Sequence, residues 1–290
     1  MNKILVLTLA VFIAMAIVSC VNCANKKEEN NDLIITATTT LAETTTQTET
    51  VPQTVLTTPE DTIIIEKDIT FSYEYISEKD VMPYGLFTPS TVDGNRKTPL
   101  IVWLHGSGER DVGKATFINR GLPNVLNTWT LKGFDAYVLC PQLKGKWNCD
   151  TWCCSESKEH LQTLIDKFIS EHNIDTKKII ITGHSLGAQG ALYMAYKLPD
   201  YFSKLAVFSG YQTYVNISEI NIPTIGYVGM VRYGEAEASF EYMTENFKSA
   251  FGEENTFRLP TSHGRLPYVA FNEDKDNNGH SDVIEWMLRD

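Results

Sequence analysis

The sequence has 290 residues, of which 43% are hydrophobic and 21% are charged. These proportions are those of an ordinary globular protein, which excludes a wholly disordered chain, a collagen and a coiled coil. The formal net charge is −11, so the chain lacks the basic surface with which proteins bind nucleic-acid phosphates. One apolar run is long enough for a membrane element, at the N-terminus, which excludes a protein with several transmembrane helices.

The N-terminus has the pattern of an export signal. Lys3 supplies a positive charge, and an apolar run follows from Ile4 to Val18. The run ends in Ile17-Val18-Ser19-Cys20, which resembles the lipobox of bacterial lipoproteins, where the cysteine is acylated after cleavage. Residues 1–19 are therefore predicted to be a signal peptide, and Cys20 to carry the lipid that anchors an extracytoplasmic protein to the cell membrane. The alternatives are an ordinary secretory signal and an uncleaved anchor.

Residues 20–61 are predicted to be a disordered tether. The segment is rich in Thr, Glu and Asn and has few large apolar side chains. It cannot bury enough apolar surface to offset the entropy lost on ordering. A single folded domain is predicted over residues 62–290, and no internal repeat is visible in it.

Predicted strands and helices alternate along this domain. Strands are expected at residues 62–66, 69–76, 84–88, 99–104, 136–140, 178–182, 205–208, 224–228 and 255–259. Helices are expected from Ser155 as the N-cap to about residue 169, and at residues 186–198, 240–247 and 283–288. Continuously apolar strands such as 99–104 are typical of strands buried on both faces. The pattern predicts an α/β fold, a doubly wound, mostly parallel sheet flanked by helices, with antiparallel strands at its N-terminal edge.

Four cysteines lie close together in the sequence, at Cys140, Cys149, Cys153 and Cys154. An exported protein keeps disulfides, so one or more bridges that pin this loop are predicted. The alternative is free thiols, and the spacing does not determine the pairing. A zinc site is disfavoured because no matching pair of C-x-x-C motifs is present.

The segment Gly183-His184-Ser185-Leu186-Gly187 lies between an apolar strand and a predicted helix. This is the G-x-S-x-G pattern in the strand–turn–helix setting that makes it informative. Glycine at positions 183 and 187 avoids the collisions that larger side chains would have in so sharp a turn. The pattern predicts that Ser185 is a nucleophile held at the carboxyl edge of the sheet.

A second motif, His105-Gly106-Ser107-Gly108-Glu109-Arg110, follows another predicted strand. With the serine motif, it resembles the α/β-hydrolase superfamily, and within it secreted esterases and predicted peptidases distantly related to feruloyl esterases and polyhydroxybutyrate depolymerases. The resemblance covers about residues 65–290. It implies an oxyanion hole formed by the N–H groups of Ser107 and Leu186. It also implies that His105 and His184 pack and shape loops and are not bases.

The resemblance implies that an acid and then a histidine follow the serine along the chain. His263, just after the last predicted strand, is the expected base, and His280 is the alternative. The aspartate usual after the strand at 224–228 is missing, and an arginine stands in its place. Glu235 is therefore the expected acid, with Glu237 as the alternative, although both could simply cap the next helix.

Residues 274–285 match the calcium-loop pattern D-x-[DN]-x-[DN]-G-x5-E at every defined position. Calcium prefers six to eight oxygen ligands, so a structural Ca²⁺ is predicted here. The ligands would be the side chains of Asp274, Asp276, Asn278, Asp282 and Glu285 and the carbonyl of His280. The alternative is a polar turn that caps the last helix, since no helix is evident before the loop.

These motifs predict a lipid-anchored serine hydrolase that needs no organic cofactor. The resemblance suggests a small-molecule or polysaccharide ester as substrate, and carbohydrate-linked esters in particular. One alternative is a peptidase of prolyl-oligopeptidase type. The other is a surface-binding lipoprotein with an inactive hydrolase fold, which the missing aspartate motivates.

Overall fold

A computed structural model gives the positions of residues 69–144, 150–211, 215–230 and 237–290. The predicted signal peptide, the tether, the strand at 62–66, Cys149 and Glu235 lie outside these ranges. Within these ranges, no helix combines the length and the apolar character that crossing a membrane requires.

The described residues form an eight-stranded sheet with the spatial order β1-β2-β4-β3-β5-β6-β7-β8. The strands are β1 Phe71–Ile76, β2 Tyr84–Pro89, β3 Thr98–Leu104, β4 Tyr137–Pro141, β5 Ile174–His184, β6 Lys204–Phe208, β7 Thr224–Gly229 and β8 Thr256–Leu259. Strand β2 pairs antiparallel with β1 and β4, and every other neighbouring pair is parallel. The predicted α/β fold, with antiparallel strands at its N-terminal edge, is therefore confirmed.

Helices cover both faces of this sheet. They are α1 Lys114–Phe117, α2 Gly121–Asn127, α3 Ser155–Glu171, α4 Leu186–Lys197, α5 Glu237–Phe251, α6 Leu266–Phe271 and α7 Asp282–Leu288. Helices α3, α4 and α5 contribute to one apolar core, and α1, α2, α6 and α7 contribute to the other. In β3, Leu100 and Val102 face the first core while Ile101 and Trp103 face the second. Burial on both faces explains why this strand is apolar at consecutive positions.

Two details of the helices differ from the predictions. Cys154, not Ser155, is the N-cap of α3, and its Sγ accepts the Ser157 N–H at 3.4 Å. The sequence analysis predicts no helix at α1, α2 or α6. Helices α1 and α6 have four and six residues, too few turns to show a clear period, and α2 begins with Gly121 and Pro123, which are poor helix formers. In α6, Leu266 and Ala270 do have helical spacing, and both are fully buried.

The cysteine cluster is only partly as predicted. Cys140 and Cys153 have free thiols, so neither takes part in the predicted bridge, whose pairing the sequence left open. Burial raises the pKa of the Cys153 thiol to about 11, so it stays protonated and unreactive at neutral pH. A bridge that involves Cys149 stays a prediction, because Cys149 lies outside the described residues.

Candidate active site

Ser185 lies on a sharp turn between β5 and α4, at the carboxyl end of a central strand. Its backbone has φ 57° and ψ −117°, a conformation that costs a non-glycine residue free energy and clusters at functional sites. The turn is held by the Ser185 N–H, which donates to the Phe208 carbonyl at 2.9 Å, and by the Ser185 carbonyl, which accepts from Gln189 at 3.1 Å. This geometry is that of a nucleophile elbow.

The glycines of the motif allow the turn to pack against the backbone of β3. A Cβ at Gly187 would lie 1.8 Å from the Leu104 carbonyl oxygen, and a Cβ at Gly183 would lie 2.5 Å from the backbone of Gly187. The first turn of α4 therefore rests directly on the end of β3. This contact brings Ser185 beside the loop that follows β3.

Gly187→Ala should lower the free energy of unfolding by about 3 kcal/mol or more, because the backbone atoms of Leu104 and His105 leave no room for a methyl group. Gly113→Ala is the matched control, since a Cβ there meets no heavy atom within 4 Å. Urea unfolding of both variants measures the difference. Equal stabilities would show that the elbow adapts to a Cβ.

The loop after β3 presents Ser107 at the start of a 3-10 turn, Ser107–Glu109. The Gly106 carbonyl accepts a hydrogen bond from His105 Nδ1 at 2.6 Å, and His105 Nε2 accepts the Leu143 N–H at 3.0 Å. Burial lowers the pKa of His105 to about 4, so the ring is neutral and its tautomer is set by these two partners. In a trans peptide the C=O and N–H point in opposite directions, so the Ser107 N–H is directed away from His105.

Glu109 is a carboxyl group that the sequence analysis did not include in the site. Only 15% of its side chain is exposed, and its Oε2 lies 4.0 Å from Nδ1 of the neutral His105 ring. Burial raises the pKa of this carboxyl, and the nearby Arg120 guanidinium opposes the shift. Arg120 also donates to the Gly108 carbonyl, so its side chain holds the loop on which Glu109 stands. The sequence could have indicated Glu109, because it is a charged residue in a loop of small residues directly after a buried strand.

His263 begins a 3-10 turn, His263–Arg265, just beyond β8. Its ring packs on the His184 ring with centroids 4.5 Å apart, and His184 Nε2 donates to the His263 carbonyl at 2.9 Å. Because His184 immediately precedes Ser185, these contacts bring His263 to the nucleophile elbow.

His280 lies near the amino ends of the parallel strands, whereas Ser185 lies at their carboxyl ends. The carbonyl of its neighbour Gly279 accepts the Lys132 N–H at 2.7 Å, and Lys132 comes before the amino end of β4. Strands β4 and β5 are both parallel to β3, so the amino end of β4 lies opposite the edge that carries Ser185. A strand of five residues is about 16 Å long, so we expect His280 to lie out of reach of Ser185.

The triad acid stays a prediction. Glu235 lies outside the described residues, and Glu237 is the first residue of α5. The Met230 N–H, just after β7, donates to the Thr261 carbonyl at 2.8 Å. The chain that leads toward Glu235 therefore starts beside the loop that carries His263, as a triad acid requires.

The predicted calcium loop brings three carboxylates together at the edge away from Ser185. Oxygens of Asp274, Asp276 and Asp282 lie within 4.8 Å of one another, a spacing that suits ligands 2.3–2.6 Å from a shared Ca²⁺. The Asn278 amide donates to Asp276 and to Glu285, so those two side chains belong to the same cluster.

The family of the chain follows from its sequence. Residues 79–223 match the model of the Esterase family, described as "Putative esterase". The chain belongs to this family. The expectation of an enzyme of the carboxylic ester hydrolase class is therefore confirmed. No curated protein matches the sequence.

Solved structures of other hydrolases share the fold of this esterase. A thermostable esterase is 20% identical with a TM-score of 0.53, over 75% of this chain and 62% of its own. Fluorophosphonate-binding serine hydrolase F of Staphylococcus aureus is 11% identical with a TM-score of 0.51, over 77% and 100%. An S-formylglutathione hydrolase of Staphylococcus aureus is 13% identical with a TM-score of 0.51, over 76% and 96%. The esterase thus spans about 62% of the length of the thermostable enzyme.

Proposed function

We propose that this esterase hydrolyses carboxylic esters of small molecules through an acyl-enzyme formed on Ser185. The observation that carries the proposal is the strained elbow at Ser185, with the His263 ring packed against the side chain of the preceding residue. The proposed nucleophile and the proposed base come from distant parts of the chain and lie at the same edge of the sheet.

The reaction proceeds in two halves. His263 accepts the Ser185 hydroxyl proton as Oγ attacks the ester carbonyl carbon, which gives a tetrahedral oxyanion. The intermediate collapses with loss of the alcohol, which takes the proton from His263. Water then attacks the acyl-enzyme by the same route and releases the carboxylic acid and free Ser185.

The oxyanion is stabilised by two backbone N–H groups in this proposal. The Leu186 N–H belongs to the first residue of α4, a twelve-residue helix whose N-terminus favours negative charge. The Ser107 N–H belongs to the peptide whose carbonyl accepts from His105. That hydrogen bond orients the peptide and polarises its N–H, which strengthens it as a donor.

The proposed location is the outer face of a cell membrane, with the domain anchored through an acylated Cys20. The apolar run at 4–18 and the lipobox pattern support it. Carbohydrate-linked esters are the proposed natural substrates, since an exported enzyme meets cell-wall and plant polysaccharides. Tyr211 and Tyr242 support this class, because their rings lie 5.5 Å apart and the Tyr211 carbonyl accepts from Gln189 in the first turn of α4. Such aromatic faces pack well against sugar rings and aryl acids.

A fluorophosphonate probe tests the reaction, because it reacts covalently with an activated serine. The mature protein should be labelled and should hydrolyse p-nitrophenyl acetate and acetylated or feruloylated sugars, but not peptide anilides. Faster cleavage of the anilides would instead indicate a peptidase. A folded chain that is neither labelled nor active would indicate the binding lipoprotein.

We also propose that the loop at 274–285 binds a structural Ca²⁺. At a calcium concentration ten times the Kd, the domain should gain about 1.4 kcal/mol, which corresponds to about 3 °C in Tm. Asp276→Asn should abolish that gain, whereas Asp200→Asn, outside the loop, should retain it. Unchanged melting with millimolar calcium and with chelator, together with no heat of binding in calorimetry, would refute the site.

A further inference from the structure

His184 contacts the loop that carries the proposed base. Its Nε2 donates to the His263 carbonyl at 2.9 Å, and the two imidazole rings pack with centroids 4.5 Å apart. The Gly229 backbone packs against the same loop, since a Cβ at Gly229 would lie 2.9 Å from the Thr261 carbonyl oxygen. The hydrogen bond from His184 is thus a direct link between the elbow and the base loop.

The same histidine also contacts the loop that carries the proposed oxyanion donor. A Cβ at Gly106 would lie 3.5 Å from the His184 carbonyl oxygen and 3.6 Å from His184 Nδ1. Both are ordinary van der Waals distances, so the Cβ direction of Gly106 faces His184 and the oxyanion loop lies beside the ring. The peptide that follows Gly106 supplies the Ser107 N–H.

We propose that His184 is a positioning residue that sets the spacing between Ser185, the oxyanion loop and His263. The inference rests on the proposed function. The ring follows the backbone of the residue next to the nucleophile, so a displacement of either loop relative to Ser185 must break a contact with His184. The hydrogen bond to a backbone carbonyl fixes the main chain at His263 and does not involve its ring nitrogens, which carry out the proton transfer in the proposed reaction.

The protonation state of His184 suits this role. Burial, and next the neighbouring His263, lower the pKa of His184 to about 3. The ring is therefore neutral at neutral pH, and the hydrogen on Nε2 is fixed by the carbonyl that accepts it. Because the His184 ring is neutral, it does not repel the positive charge that His263 gains in the proposed reaction.

Two amide variants separate this positioning role from simple packing. The amide nitrogen of Gln reaches about as far as His Nε2, whereas that of Asn reaches about as far as Nδ1. Both variants lose the ring, but only His184→Gln can still donate to the His263 carbonyl. Because a misplacement of about 1 Å can cost about 100-fold in rate, His184→Asn should lower kcat about 30- to 100-fold with KM within about twofold. His184→Gln should recover kcat to within about fivefold of the wild type.

The experiment measures kcat and KM with p-nitrophenyl acetate, and Tm, for both variants and for His160→Gln on the surface of α3 as control. Equal losses in the Asn and Gln variants, or an Asn variant with wild-type kcat, would overturn the proposal. If the Asn chain does not fold, His184→Leu provides the same comparison, because it also lacks the donor. Failure of the proposed function is distinct, since the wild type itself would then show neither hydrolysis nor fluorophosphonate labelling.

Discussion

Ser185→Ala should lower kcat/KM for p-nitrophenyl esters by at least about 10⁴-fold, because Ser185 carries the one hydroxyl group of the Gly183–Gly187 motif and forms the acyl-enzyme in the proposed reaction. The two hydrogen bonds that hold the turn use the backbone N–H and C=O of Ser185, so the alanine variant keeps both of them. Initial rates and fluorophosphonate labelling measure the loss, and Tm should change little.

Ser170→Ala, on the surface of α3, is the control for this experiment and should keep full activity. Persistent labelling of the Ser185→Ala protein would mean that another residue is the nucleophile. A Ser185→Ala protein that is unlabelled but retains hydrolysis would show that the reaction does not pass through a covalent serine intermediate.

His263→Ala should lower kcat by about 10³- to 10⁴-fold, since the Ser185 proton then has no acceptor. The hydrogen bond from His184 goes to the main-chain carbonyl at position 263, which alanine retains. The base loop should therefore keep its place, and KM should change little. Steady-state kinetics on the same esters measures the effect.

His280→Ala is the matched comparison, because both histidines come late in the chain and only one lies at the edge with Ser185. It should keep kcat within about twofold of the wild type, since the variant changes a side chain about one strand length from the elbow. A large loss in the His280 variant and a small one in the His263 variant would reverse the assignment of the base.

Positions 231–236 contain the residue that we expect to orient the base. The expected acid, Glu235, lies in this segment, where the family pattern has an aspartate and this chain has an arginine. A glutamate can orient an imidazole as an aspartate does, provided that its longer side chain starts from a shifted backbone. Glu235→Gln beside Glu237→Gln would show which of the two glutamates does so.

The fold class and the sharp turn at Ser185 could be predicted from the sequence because both depend on local patterns. Apolar runs with the period of a strand or a helix are readable within ten residues, as in β3 and α3. The G-x-S-x-G motif is equally local, since Gly183 and Gly187 lie two residues on either side of the serine. Helices α1 and α6 could not be predicted in this way because they have too few turns, and α2 could not because Gly121 and Pro123 favour other structures.

The rest of the site depended on the tertiary structure, because it joins residues far apart in the chain. His263 and His280 are similar candidates in sequence, and only the order of the strands places one at the carboxyl edge and the other at the amino edge. The burial of Glu109 and the contact of His184 with His263 likewise arise where loops after β3, β5 and β8 converge. Convergence of this kind is set by how strands pair and helices pack, which no local pattern records.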